Sequence, residues 1–125
     1  MIQYNEKQLR CINHPPSALM IIAGAGTGKT TTIIGRIGCL IKEQKIEPNS
    51  ILALTFTVKA AEHLKKSIEE IVGDEGKNIN ACNFHSFALD LSLKYYKTLK
   101  YKNKPTLIES NESRYIIKQI INENN

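Results

Sequence analysis

The 125 residues are the length of one domain, 42% hydrophobic and 23% charged, with a net charge of +5. Such a composition supplies a real core and excludes a low-complexity chain, while the mild basicity permits a polyanionic partner without requiring one. The three cysteines, Cys11, Cys39 and Cys82, are odd in number and lack metal-ligand spacing, so they are expected to be buried free thiols in a reducing compartment.

The elements follow in chain order. Residues 5–13 read as a short helix that stops before Pro15-Pro16, which block its continuation. A continuous apolar run at 18–23 reads as a strand covered on both faces. From Lys29 a helix places Ile33, Ile34, Ile37, Leu40 and Ile41 on one stripe. Pro48-Asn49-Ser50 is a turn, and residues 51–55 are a second buried strand. An amphipathic helix over 59–72 carries Ala61, Leu64, Ile68, Ile71 and Val72 inside, with Glu62, Lys65, Lys66, Glu69 and Glu70 outside. Gly73 to Gly76 break it. A short strand at 79–83, a helix at 85–96, a polar basic stretch at 97–105 and a helix at 112–122 complete the chain. On that last helix Tyr115, Ile116, Gln119 and Ile120 share one side. Alternating strands and helices predict an α/β layer with parallel strands, whose ligands gather at the carboxyl ends of the strands.

At the first of those ends lie Ala23, Gly24, Ala25, Gly26, Thr27, Gly28, Lys29 and Thr30. Strand, glycine-rich turn, then Lys-Thr opening a helix is the arrangement that cradles nucleoside triphosphate phosphates. Glycines let the backbone curl and aim several N–H groups at one anion, and the helix adds the positive end of its dipole. Lys29 supplies a point charge for β/γ oxygens, and the Thr30 hydroxyl can ligate Mg²⁺. The strict pattern has Gly where this chain has Ala23, the smallest substitute, at a position where ordinary β backbone can suffice.

Past the second strand come Thr55, Phe56, Thr57, Val58 and Lys59. Phe56 can stack on a base, and Thr57, Lys59 and the helix start can hold a phosphate; equally, Phe56 can be core and Thr57 a helix cap. Past the third strand, His85 and Ser86 open a helix and can donate to a phosphate, with Phe84 and Phe87 expected to pack inside. Lysines and tyrosines interleave from Lys94 to Lys104, which suits either a nucleic-acid groove or a solvated helix end.

Taken jointly, Ala-Gly-Ala-Gly-Thr-Gly-Lys-Thr, then Ile-Leu-Ala-Leu-Thr-Phe-Thr-x-Lys-Ala-Ala, then Phe-His-Ser-Phe, in this order, closely resemble superfamily I helicases of the UvrD/Rep/PcrA type. The resemblance begins at Asn5-Glu6-Lys7-Gln8, similar to that family's Q motif, and runs to residues 107–113 and the Ile-rich helix, similar to the start of its inserted 1B subdomain. It implies an incomplete α/β fold of the P-loop NTPase (RecA-like) type, three-layered with a mostly parallel sheet. Residues 1–96 would be a partial ATP-binding domain 1A, and 97–125 a linker and the start of helical 1B.

The function implied is that of the N-terminal portion of an ATP-dependent 3′–5′ DNA helicase of DNA unwinding and repair. It would bind ATP, Mg²⁺ and single-stranded or 3′-tailed duplex DNA, in the cytoplasm and away from membranes. By the same resemblance Gln8 reads the adenine edge. Ala23, Gly24, Ala25, Gly26, Thr27, Gly28, Lys29, Thr30 and Thr31 line the cofactor, with Lys29 and Thr30 as the catalytic pair and Thr30 on the metal. Phe56, Thr57, Lys59, His85 and Ser86 meet DNA. Three positions depart from the family pattern: Thr31 where Arg is common, Val58 where Asn is usual and Asn83 where Thr is usual.

Hydrolysis also needs a carboxylate to hold Mg²⁺ and orient the attacking water; the resemblance implies that this is an Asp-Glu pair on a later strand, with arginines from a second RecA-like domain. No Asp-Glu pair follows an apolar strand here, and Asp74-Glu75 lies in a polar turn. The remainder of 1A, with 1B, 2A and 2B, is therefore an implied partner, and a homo-oligomer through exposed sheet edges is a further expectation. A stand-alone nucleotide- or DNA-binding module without hydrolysis is the alternative. A small P-loop kinase fits the phosphate loop but not the Thr-Phe-Thr and Phe-His-Ser-Phe segments.

Overall fold

A computed structural model describes residues 2–123, in the order α1 (Glu6–Ile12), α2 (Lys29–Lys42), β1 (Leu52–Thr55), α3 (Val58–Val72), β2 (Asn80–Asn83), α4 (Phe84–Lys94) and α5 (Ser110–Glu123). Short 3-10 helices occupy Pro48–Ser50 and Gly73–Asn78. Met1, Asn124 and Asn125, which the expected segments 1–96 and 97–125 include, lie outside the described residues.

Local chemistry sets where the helices begin and end. Asn5 Oδ1 accepts from the Gln8 N–H at 2.9 Å while Gln8 Oε1 accepts from the Asn5 N–H at 3.0 Å, a reciprocal capping box that starts α1. Thr57 Oγ1 accepts from the Ala60 N–H at 3.1 Å and starts α3, a cap worth about 1 kcal/mol. Gly73, at φ +78°, ends that helix.

The chain divides into two compact units, one ending at Phe87 and the other beginning at Ala88. In the first, Ile34, Ile37 and Ile41 of α2 meet Ala53 of β1, Leu64 and Ile68 of α3, and Ile79. Ile51, Ile71, Val72 and Ala81 pack around them. This is the core that helical and strand periodicity anticipated. Ile33 departs from it: at the edge of the α2 stripe it stays 44% exposed.

The two strands pair in parallel, with Leu52 opposite Asn80, Ala53 opposite Ala81, Leu54 opposite Cys82 and Thr55 opposite Asn83. The result is an incomplete α/β fold with a two-stranded parallel sheet. Residues 18–23, expected as a strand, form none. A strand is held by a neighbour's N–H and C=O groups, and no described segment supplies them; Met20 and Ile22 stand 82% and 87% exposed. The cysteines also depart from expectation: all three are free but half-buried rather than buried. Cys39 sits toward Asn13, its Sγ 3.8 Å from Asn13 Oδ1, because it flanks the α2 stripe rather than lying on it.

In the second unit, α5 opens with Glu112 accepting from the Glu109 N–H at 3.2 Å, two residues earlier than periodicity suggested. Its apolar side is exposed, Tyr115, Ile116, Ile117, Ile120 and Ile121 included. The basic stretch before it is solvated, with Lys94 Nζ 5.3 Å from the Tyr95 ring centroid. No helix among the described residues is long and apolar enough to cross a membrane.

Candidate functional site

The glycine-rich turn has the backbone its composition demands. Gly26 and Gly28 adopt φ +73° and +82°, left-handed values that L side chains resist. Gly28 is the N-cap of α2 and has no side chain to cap with. The helix's first backbone bond runs from the Thr32 N–H to Gly28 O at 2.9 Å, and the buried Thr32 hydroxyl reaches the same carbonyl at 2.9 Å. No group among the described residues accepts from the backbone N–H groups of residues 25–31. A run of unsatisfied donors at a helix start, next to an ammonium, suits an anion with several oxygens.

The side chains around the turn are ordered by its carbonyls. Lys29 Nζ donates to Ala23 O at 3.0 Å and to Gly24 O at 2.5 Å, and Thr27 Oγ1 donates to Gly24 O at 2.8 Å. Gln8 joins the group from α1, its Nε2 donating to Thr27 O at 3.3 Å. Ala25, Gly24 and Thr30 are exposed, and the Thr30 hydroxyl makes no hydrogen bond among the described residues. Thr31, half-buried, lines an open cleft of about 530 Å³ with Tyr4, Ile34 and His63. The residues therefore fit a phosphate chain: successive N–H groups at the helix start have no acceptor among the described residues, the Lys29 ammonium lies against the same turn, and the Thr30 hydroxyl is unbonded beside them.

The strand-end residues form a second group. Because Thr55 and Asn83 are register partners in a parallel pair, the segments that follow leave the same end of the sheet side by side. Phe56 is 86% exposed, which removes it from the core. Thr55 Oγ1 donates to Thr57 O at 2.8 Å and tightens the turn beneath it. Across from it, Asn83 Oδ1 accepts from the Ser86 N–H at 2.7 Å and starts α4. Lys59, His85 and Ser86 are exposed. Phe84, expected inside, is 57% exposed, since it occupies the first residue of α4, ahead of the turns that could cover it; Phe87 is half-buried. No strand ladder ties this group to residues 18–23, so sheet register does not link it to the glycine turn.

Residues 4–125 match the UvrD/REP helicase N-terminal domain. The chain belongs to that family. Among its relatives, the ATP-dependent DNA helicase PcrA of Staphylococcus epidermidis is 32% identical over 121 residues, 97% of this chain. The protein of the same name from Staphylococcus aureus is 31% identical over the same length. The chain spans 17% of the length of these relatives.

Two features of this UvrD/REP domain escaped the reading of its sequence. Asn5, three residues before Gln8, is a capping-box signal that was legible. Arg36 was not: its guanidinium donates to the carbonyls of Ile12, His14 and Pro15, and backbone acceptors leave no mark in a sequence. Asp74, which the sequence places in a polar turn, is exposed. It pairs with Lys77 at 2.5 Å on an exposed 3-10 helix. That hydrogen bond, and then the lysine's charge, hold the Asp74 carboxyl below its ordinary range and raise Lys77.

Proposed function

We propose that this UvrD/REP domain is the ATP- and single-stranded-DNA-binding N-terminal portion of an ATP-dependent 3′–5′ DNA helicase acting in DNA unwinding and repair. The observation that carries the reading is the turn at 24–30, where unsatisfied N–H groups, Lys29 and the Gln8 amide adjoin one another. Gly24, Gly26, Gly28 and the first turn of α2 bind the phosphates. Lys29 leaves the carbonyls of Ala23 and Gly24 for phosphate oxygens, a stronger partner for a cation than a neutral carbonyl. Thr30 offers a ligand to Mg²⁺, which when bound neutralises charge on the phosphates.

Gln8 selects the base. Its oxygen already accepts from the Asn5 N–H and its nitrogen already donates to Thr27 O. One N–H and one lone pair remain, which complement N7 and the N6 amino group of adenine. Thr31 stands where the family commonly has Arg, so stacking on the base contributes less here.

Phe56 and Thr57, with Lys59, His85 and Ser86 beside them, meet the DNA strand. An exposed aromatic at a sheet end gains about 1–3 kcal/mol by stacking on a base. Phe56→Ala should therefore weaken single-stranded DNA binding by about 5- to 150-fold in a fluorescence-anisotropy titration, with thermal stability unchanged. Equal affinity for both proteins would remove Phe56 from the DNA surface.

The parent protein hydrolyses ATP, whereas this chain alone does not. Its sequence carries no Asp-Glu pair after an apolar strand, the element that would hold Mg²⁺ and orient the attacking water. Assays of ATP turnover with and without single-stranded DNA, on this chain and on Lys29→Ala, should give negligible rates throughout. DNA-stimulated turnover abolished by the substitution would overturn that assignment. Residues 1–96 form part of a RecA-like three-layer domain 1A, and 97–125 lead into 1B. The rest of the helicase is the principal partner, and the cytoplasm is the site of action. The outer edges of β1 and β2 have no strand beside them among the described residues, so a second copy can pair there. Sedimentation velocity should show dimers growing with concentration, and a clean monomer at high concentration would exclude such pairing.

A further inference from the structure

Among the described residues, the side chain that reaches most backbone acceptors at once lies outside every motif above. Arg36, half-buried on α2, donates through Nη1 to Ile12 O at 2.9 Å and to His14 O, and through Nη2 to Pro15 O at 3.0 Å. Ile12 ends α1, and His14 and Pro15 belong to the turn that leaves it. A guanidinium at a helix C-terminus both satisfies orphan carbonyls and opposes the negative end of the dipole. Gln44 adds a bond from Nε2 to His14 O at 3.4 Å. Next to Arg36, Gly35 lets the two helices touch: a Cβ there would fall 2.8 Å from Ile12 Cδ1 and 2.8 Å from Tyr4 Oη.

These contacts matter because of what α1 carries. At seven residues it is far too short to persist as a helix by itself. Its position against α2 is the position of Gln8. The side chain of Gln8 in turn rests against the phosphate turn, close enough that a Cβ on Gly28 would fall 2.7 Å from Nε2. A path of direct contacts therefore runs from Arg36 to the α1 C-terminus, along α1 to Gln8, and on to Thr27.

We propose that Arg36 is a positioning residue for base selection, holding α1 so that the spare N–H and lone pair of Gln8 stay aimed at the adenine edge beside the phosphate turn. The assignment rests on the nucleotide reading above. It separates two parts of affinity: the phosphate turn belongs to α2 and does not depend on Arg36, whereas base discrimination does. Guanine offers two acceptors where adenine offers a donor and an acceptor. A correctly held Gln8 therefore favours ATP over GTP by about five- to tenfold, the value of one well-made hydrogen bond.

The test is calorimetric titration of the 125-residue chain with ATP, GTP and inorganic tripolyphosphate, using the unaltered protein, Gln8→Ala, Arg36→Met, Arg36→Lys and the Gln8→Ala/Arg36→Met double variant. Arg36→Met should erase the ATP preference as fully as Gln8→Ala does, with tripolyphosphate affinity changed less than about twofold. The double variant should be no worse than either single one. Arg36→Lys, with an ammonium that can reach one carbonyl or two, should recover part of the preference and is the variant to read where Arg36→Met does not fold. An ATP preference that survives both Arg36 variants would overturn the proposal, as would an equal loss for tripolyphosphate and ATP. Failure of the unaltered chain to bind either ATP or tripolyphosphate would instead overturn the nucleotide reading, and the proposal with it.

Discussion

Ile68→Ala is expected to destabilise the first unit by about 2–5 kcal/mol, the range for emptying a buried Ile position that cannot collapse. Ile68 has no exposed surface and sits where α2, α3 and the strands converge, against Ile34, Ile37, Leu64 and Ile79. Such a loss is a large share of the roughly 5–15 kcal/mol that holds a domain together. In urea denaturation the midpoint should fall sharply while the slope stays nearly constant. Ile33→Ala is the matched control. It removes the same atoms from a residue 44% exposed at the edge of the α2 stripe, and should cost less than about 1 kcal/mol. Equal losses for the two substitutions would mean that the core is not centred where α3 crosses α2.

That contrast also shows what hydrophobic periodicity conveys. The stripe on α2 names an apolar face, and the face is there, but periodicity does not say what covers it. Ile34, Ile37 and Ile41 found α3 and the strands; Ile33 did not. The same holds for α5, whose Tyr115, Ile116 and Ile120 share a side that stays exposed, and for residues 18–23, whose apolar run is strand-like while its hydrogen-bond partners are absent from the described residues. Helix starts were legible to within a residue or two, because caps are local: Asn5 to Gln8, Thr57 to Ala60, Asn83 to Ser86. The left-handed glycines of the turn, Gly26 and Gly28, were legible for the same reason. Parallel pairing of 52–55 with 80–83 followed from the intervening helix, since a parallel neighbour needs a crossover. The Arg36 contacts were not legible, being bonds across 21 to 24 residues to carbonyls that every residue possesses.

Alanine substitutions at Gly24, Gly26 and Gly28 are expected to weaken phosphate binding in ascending order, with Gly28→Ala losing at least about tenfold toward both ATP and tripolyphosphate. Three differences in geometry set the order. At Gly24 the backbone is not left-handed, and an added Cβ would meet only Thr27 Cγ2, at an ordinary 3.7 Å. At Gly26 the Cβ enters open space, but φ is +73°, so the backbone alone resists; a left-handed L residue costs about 1–2 kcal/mol. At Gly28 that backbone term recurs at φ +82°, and the Cβ falls 2.7 Å from Gln8 Nε2. Gln8 can swing away, since the clash is with the end of a flexible side chain, but doing so breaks its bond to Thr27 O. Either response harms the site: a shifted turn no longer converges its N–H groups, and a displaced Gln8 no longer meets the base. The two are separable by ligand. Turn distortion lowers affinity for tripolyphosphate and ATP alike, whereas displacement of Gln8 alone lowers only the preference for ATP over GTP. Gly28→Ala should do both, Gly26→Ala only the first, and Gly24→Ala neither by more than about twofold. Gly28→Ala binding tripolyphosphate as tightly as the unaltered chain would show that the left-handed turn is not what gathers the phosphates.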